Sequence, residues 1–276
     1  MRVAVCQMRS SEDVAANLAT AERLLGEAAD GGADLAALPE LFTYLGRSAG
    51  RAAAVETVPG PTTERLSALA RERGMWVLGG SVLEAGDGRA FDGRAFNTSV
   101  LFDREGELVA RYRKIHLYDV ELPDQPPIRE SDSFAPGDQL VTHATEQARL
   151  GLSTCYDLRF PELYRGLMVL GAEVLCVPAQ FQHTTGTAHW EVLLRARAIE
   201  NQCFVVAPAQ WGTYGREGSN RRSYGHSMVV DPWGRVLLEA PEEGDGVFAA
   251  DLDLAELREI RTRLPALNHR RLGLTC

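Results

Sequence analysis

Apolar residues recur along this chain with two periods. Short β-branched runs at Arg2–Met8 (RVAVCQM), Asp34–Leu38, Met75–Leu83 and Arg149–Thr154 predict buried strands. Between the first two, Val14, Leu18, Ala21, Leu25 and Ala28 fall at spacings of three and four, giving a helix that Ser11 caps and Gly31-Gly32 ends. A second helix is expected over Pro61–Arg73, then strands Asn97–Asp103 and Leu108–Ile115 around the turn Arg104-Glu105-Gly106. From Leu117 to Asp138 the pattern fails: four prolines and several charges predict a loop of a length usually kept for function or disorder. Beyond it come a helix from Pro161, strand Glu173–Val177, and a long helix near Ala188–Asn201 whose core face is Trp190, Leu193, Leu194 and Ile199. Strands Cys203–Ala207, Tyr224–Val230, Arg235–Glu239 and Gly246–Asp251 follow, then helix Leu254–Arg263 and a basic tail, residues 264–276. No repeat or linker divides the chain, so one domain is expected over 1–276. Strands outnumber helices and the late ones pair as hairpins, which suits an α/β layered sandwich better than a purely parallel doubly wound sheet.

Composition narrows the class. A net charge of -9 argues against nucleic-acid binding, which runs on clustered Lys and Arg. No apolar run reaches the ~18 residues of a membrane span, and a strand starting at Arg2 leaves no room for a signal peptide. Five cysteines without a CxxC spacing suggest neither a disulfide framework nor a zinc ribbon, so a reducing, cytoplasmic setting is expected. Of 29 basic residues, 28 are Arg and one, Lys114, is Lys. Coding bias in a GC-rich genome explains the scarcity of lysine. The one that remains can supply a compact point charge, which arginine's planar fork cannot.

Three chemically able residues sit where strands end: Glu40 in LPELF, Lys114 in YRKIH and Cys155 in STCYDLRFPEL. Reactive groups gather at strand ends in α/β sheets, so the three can converge. Cys155 is the nucleophile candidate. It lies in a strand-to-helix turn before Pro161, where a helix N-terminus and a nearby cation favour the thiolate; the alternative is a buried, inert thiol, the better account of Cys6 and Cys176. Cys203 begins a strand and Cys276 is terminal. Glu40 can serve as general base for the thiol and then for water, and Lys114 can stabilise an oxyanion. The plain alternatives are a helix-start carboxylate and a solvated strand-end lysine. Glu130, in IRESDSFAPG, is a second carboxylate able to orient Lys114 or a water, or simply an exposed loop residue. Among the six histidines, His116, His183 and His189 stand near these segments, but none has metal-ligand spacing, and structural or substrate-contact roles suit them better than Cys–His catalysis. Neither GxGxxG nor GxxxxGK[ST] occurs, so a nucleotide cofactor has no support.

In these contexts the chain resembles the nitrilase superfamily of carbon–nitrogen hydrolases, whose Glu–Lys–Cys triad is matched by Glu40, Lys114 and Cys155. The likeness covers nearly the whole chain. Through KIHLYDVELP, RESDSFAPGD, AHWEVLLRARAIENQCFVVAPAQ and SYGHSMVVDPWG it is closest to the branch of deaminated-glutathione amidases and ω-amidases. The resemblance implies a four-layer α-β-β-α sandwich, a homodimer or higher homo-oligomer formed through a helical layer, and no cofactor or metal. It implies that Cys155 attacks an amide, that Lys114 and the backbone N–H of Tyr156 hold the oxyanion, and that Glu130 positions the triad and water. Arg159 would bind a substrate carboxylate, with Tyr44 and Thr185 as further pocket residues. The implied reaction converts deaminated glutathione to 2-oxoglutarate and cysteinylglycine. An ω-amidase for short α-keto-acid amides is the nearest rival, ahead of an N-carbamoyl hydrolase, a true nitrilase or a non-catalytic thiol sensor.

Overall fold

The computed structural model describes residues 1–86, 94–122, 127–215 and 221–272. Its strands are β1 (Arg2–Gln7), β2 (Leu35–Ala37), β3 (Trp76–Leu78), β4 (Val82–Glu84), β5 (Phe96–Phe102), β6 (Leu108–Arg113), β7 (Asp119–Val120), β8 (Ile128–Arg129), β9 (Val141–Ala144), β10 (Arg149–Leu152), β11 (Val174–Cys176), β12 (Phe204–Ala207), β13 (Trp211–Thr213), β14 (Arg222–Tyr224), β15 (Met228–Val230), β16 (Val236–Glu239) and β17 (Gly246–Asp251). The helices are α1 (Val14–Asp30), α2 (Ser48–Arg51), α3 (Pro61–Arg73), α4 (Pro161–Val169), α5 (His183–Asn201) and α6 (Leu254–Arg263).

Two mixed sheets make the centre. One runs β17-β1-β2-β3-β5-β4 with β6 on β5; the other runs β16-β15-β12-β11-β10-β9. In each, three adjacent strands are parallel, β1-β2-β3 and β10-β11-β12, and antiparallel strands flank them. The period of two along a strand sorts the side chains into layers. Val3, Val5, Leu35, Ala37 and Leu78 point into a core shared with Leu150, Leu152, Val174 and Cys176 of the second sheet. Their neighbours Ala4, Cys6, Ala36 and Val77 point the other way, onto Leu18, Ala21, Leu25 of α1 and Leu66, Ala70 of α3. Helices α4 and α5 cover the second sheet's outer face through Leu163, Leu167, Trp190 and Leu194. The result is the expected α-β-β-α order.

Several local expectations are corrected. Asp13, not Ser11, caps α1: its Oδ1 accepts from Ala16 N at 3.0 Å, while Ser11 packs its hydroxyl and N–H against Asn17. The expected strand Met75–Leu83 breaks at Gly79-Gly80. Gly80 has φ +42° and lies so close to the Leu38–Pro39 backbone that a Cβ would fall 2.0 Å from Pro39 O. Tyr224–Val230 likewise splits into β14 and β15 around Gly225, at φ +73°. Helix α5 starts at His183, a turn before the expected Ala188, and Ile199 on it is 50% exposed rather than in the core. The irregular segment after Leu117 contains the small β7–β8 pair and a 3-10 turn, Glu130–Asp132. Residues 123–126 of that segment, and Cys276 with the end of the basic tail, lie outside the described residues. Among the described residues no helix is long and apolar enough to cross a membrane.

Candidate active site

Each functional side chain is delivered by the end of a strand. After β2, the Leu38 N–H bonds Leu78 O at 2.9 Å, Leu41 N–H bonds the Ser81 hydroxyl at 2.9 Å, and Gln210 Nε2 donates to Glu40 O at 3.1 Å. This fixes the Glu40 backbone, and the close passage of Gly80 sets its path. Lys114 directly follows β6, with its N–H on Asn97 O (2.9 Å) and its carbonyl accepting from Gly137 N (2.8 Å). Cys155 opens a 3-10 turn, Cys155–Arg159, three residues beyond the end of β10.

That turn is strained and heavily supported. Cys155 has φ +46°, a left-handed conformation that costs a residue bearing a Cβ and persists only where its surroundings enforce it. Its N–H donates to Pro178 O at 2.9 Å. Asp157, fully buried, accepts from Thr154 N (2.8 Å), from the Tyr112 hydroxyl (2.7 Å) and from His116 N (3.1 Å), with His116 Nδ1 at 2.8 Å. His116 stacks on Phe160 at 3.6 Å between centroids. The histidine next to the lysine thus braces the turn. The N–H of Tyr156, second in the 3-10 turn, belongs to the donors that a helix start leaves without an intrahelical acceptor.

The side chains converge. Lys114 Nζ lies 2.9 Å from Glu40 Oε1 and 2.8 and 3.0 Å from the two oxygens of Glu130. Lys114 and Glu40 are each 2% exposed. Asn97 Nδ2 bridges the carboxylates, 2.8 Å from Glu40 and 3.2 Å from Glu130, and Glu40 Oε2 accepts from Gln180 N at 2.7 Å. Tyr118 N–H holds Glu130 from the other side at 2.6 Å. Glu130 is therefore a member of the cluster and not an exposed loop residue, and Lys114 is not a solvated one. The Cys155 thiol points to Gln180 O at 3.5 Å, close enough to Glu40 and Lys114 to feel both charges.

Two carboxylates against one ammonium set the protonation states. Burial alone would drive the Lys114 proton off, but Glu130 and Glu40 more than offset that and hold the ammonium well above the ordinary lysine range. Burial, and after it the Glu40 charge, push the Cys155 thiol well above its usual range, with Lys114 offsetting only part. This overturns the expectation of a favoured thiolate: the turn's N-terminus and one cation are outweighed by burial and two anions. Cys6, Cys176 and Cys203 are raised to about 12 by burial and lie away from any charged cluster of this kind. Among the described residues, no three His, Cys, Asp or Glu side chains gather as metal ligands would.

The cluster lies in a cleft of about 500 Å³ lined by Glu40, Lys114, Glu130 and Cys155, together with Tyr118, Tyr156, Arg159, Thr185, Tyr214 and Arg51. Arg159 and Thr185 line the cleft. Tyr44 does not: it is buried against Leu83, Ala95 and Phe134, and its hydroxyl donates to Arg47 O at 2.7 Å. Asn97, Asp157 and Arg51 escaped the sequence reading. Only Asn97 left a signal, as part of the polar run Asn97-Thr98-Ser99 inside the otherwise apolar β5, every residue of which is buried.

The match to known proteins agrees with this geometry. The carbon-nitrogen hydrolase family model matches residues 2–262. The chain belongs to the carbon–nitrogen hydrolase family. Within it, the chain is 47% identical over 274 residues to the human deaminated glutathione amidase, covering 99% of this chain and 83% of that protein. The mouse omega-amidase NIT2 is 38% identical over 281 residues, covering 99% and 96%. The NitFhit protein of C. elegans superposes with a TM-score of 0.88 at 38% identity over 98% of this chain, which spans 65% of that longer protein. The family and the amidases this chain resembles make it a hydrolase acting on amides, and its cleft holds a buried Glu–Lys–Glu cluster beside a cysteine.

Proposed function

We propose that this carbon–nitrogen hydrolase cleaves the amide of deaminated glutathione through a thioester on Cys155, giving 2-oxoglutarate and cysteinylglycine. The observation that carries the reading is the strained Cys155 held beside Glu40 and Lys114 in a cleft that also presents Arg159. The thiol sulfur attacks the amide carbonyl while Glu40 takes its proton. The oxyanion forms against Lys114 and the Tyr156 N–H. Lys114 can meet it with one N–H, because one donor serves Glu40 and another can be shared between the two oxygens of Glu130. Net charge stays at minus one: as Glu40 becomes neutral, the negative charge it loses reappears on the oxyanion. Collapse breaks the C–N bond, and Glu40 returns the proton to the leaving amine. Water then adds to the thioester, giving its proton to Glu40; the second collapse releases the acid and restores the thiol. Glu130 fixes Lys114 throughout, and Arg159, which among the described residues meets His189 Nδ1 at 3.1 Å but no carboxylate and lies 5.2 Å from the Phe181 ring centroid, takes the keto-acid carboxylate.

The kinship with the mouse omega-amidase supports a second reading, hydrolysis of short α-keto-acid amides. Release of 2-oxoglutarate from deaminated glutathione and from 2-oxoglutaramate, followed side by side, separates the two. A clear preference for the first supports the proposal, and a much higher kcat/KM for the short amide replaces it with the second. We further infer one domain over 1–276 with a C-terminal tail, and a homodimer through the α4–α5 layer. Val169, Leu170, Val192 and Ile199 on that layer are 49 to 65% exposed, an apolar face suited to a second copy. The free, buried state of Cys6, Cys155, Cys176 and Cys203 supports a reducing, cytoplasmic location.

A further inference from the structure

The cleft has a second cationic wall that the chemistry above leaves unused. Arg51, the last residue of α2, reaches the cleft from the first half of the chain; Arg159 reaches it from the nucleophile's own turn. The Arg51 guanidinium lies over the Phe134 ring, 5.0 Å from its centroid, and among the described residues its side chain makes no hydrogen bond or ion pair. Arg129, which also lines the cleft, is by contrast neutralised by Glu121. The charged groups that act on Arg51 are Glu130, already committed to Lys114, and Arg221, a like charge on the same cleft. Asp132 lines this wall too, without pairing to Arg51. Half-buried cations are ordinarily paired. A guanidinium left without an anion on the wall of a cleft is a place for one, and its planar fork suits a carboxylate.

We propose that Arg51 forms a second carboxylate subsite that takes the carboxylate at the far end of the leaving amine. This deepens, and rests on, the reading of the chain as a deaminated-glutathione amidase. In that substrate both halves are acids: the keto acid faces Arg159, and the C-terminal carboxylate of the departing dipeptide faces Arg51. A short primary amide offers only the first, so this subsite is what favours peptide-like amides over ω-amides.

The test compares deaminated glutathione with its C-terminal carboxamide, a twin lacking only that charge. The readout is the ratio of their kcat/KM values in the native protein, Arg51→Ala and Arg51→Lys. Hydrogen bonds to a charged group support a native preference of about 10- to 100-fold for the acid. That ratio is expected to fall close to one in Arg51→Ala and to lie between in Arg51→Lys, which keeps the charge without the fork. A native ratio near one, or the same ratio in both variants as in the native protein, overturns the subsite while leaving the amidase reading in place. Failure of the native protein to hydrolyse either twin overturns the amidase reading itself, and the subsite with it.

Discussion

Replacing Lys114 by Met keeps the length of the side chain and removes its charge. The ammonium is hydrogen-bonded to both Glu40 and Glu130, at 2.8 to 3.0 Å, and all three groups are sealed from solvent or nearly so. Removing one partner of a buried ion pair costs about 3–5 kcal/mol, and here two carboxylates lose it, so the upper end of that range is expected. Against a total stability of about 5–15 kcal/mol, this is a large fraction. The sign with pH is defined. In the native protein, the folded-state pKa of Lys114 lies above its unfolded value, so its contribution is complete below the ordinary lysine range. It is lost only as pH rises through the still higher folded value. In Lys114→Met the two carboxylates repel with no cation between them, and protonating one relieves that repulsion. The deficit measured by urea denaturation therefore shrinks from mildly alkaline to mildly acidic pH. Turnover falls by at least ~10²–10³, the usual cost of an oxyanion donor. Lys114→Arg separates charge from shape: it recovers much of the stability, but the wide fork cannot occupy a point within 3.0 Å of three oxygens, so activity stays low. A Lys114→Met protein as stable as the native one at alkaline pH, or near-normal turnover by Lys114→Arg, refutes the reasoning.

Two further predictions follow from the same geometry. Glu40 raises the Cys155 thiol by charge and hydrogen bond, so Glu40→Gln lowers the pH at which iodoacetamide alkylates Cys155 while abolishing turnover; an unmoved alkylation profile contradicts the assignment of the base. Gly80→Ala places a Cβ 2.0 Å from Pro39 O at φ +42°, which displaces the loop before Glu40, so thermal stability and kcat fall together; a variant with native kcat shows that Glu40 does not depend on this passage.

The layer order was legible in the sequence because strand and helix periods differ, and the alternation Val3/Ala4/Val5/Cys6 is the boundary between two cores. Glu40, Lys114 and Cys155 were legible because each ends a strand in an unusual local context. Glu130 was ambiguous: a glutamate in a proline-rich segment reads as exposed until the turn Glu130–Asp132 aims it at Lys114. Asp157 and Arg51 left no local mark. Their roles arise from contacts 41 residues away, between Asp157 and His116, and from a ring on another segment, Phe134. The direction of the thiol's shift was hidden for the same reason. It depends on the sum of charges from three segments and on burial, and local motif logic counted only the helix end and the cation. Tyr44 shows the reverse error, a position carried over by likeness whose hydroxyl is already satisfied by Arg47.

The central claim is a covalent acyl intermediate on Cys155, and rapid-quench mass spectrometry of the protein mixed with deaminated glutathione tests it most directly. The account predicts that the peptide containing Cys155 gains the 2-oxoglutaryl half within the first turnover and returns to free thiol as substrate is exhausted, and that Cys155→Ala forms no product. Product formation by Cys155→Ala, or an acyl group found on another cysteine, contradicts it.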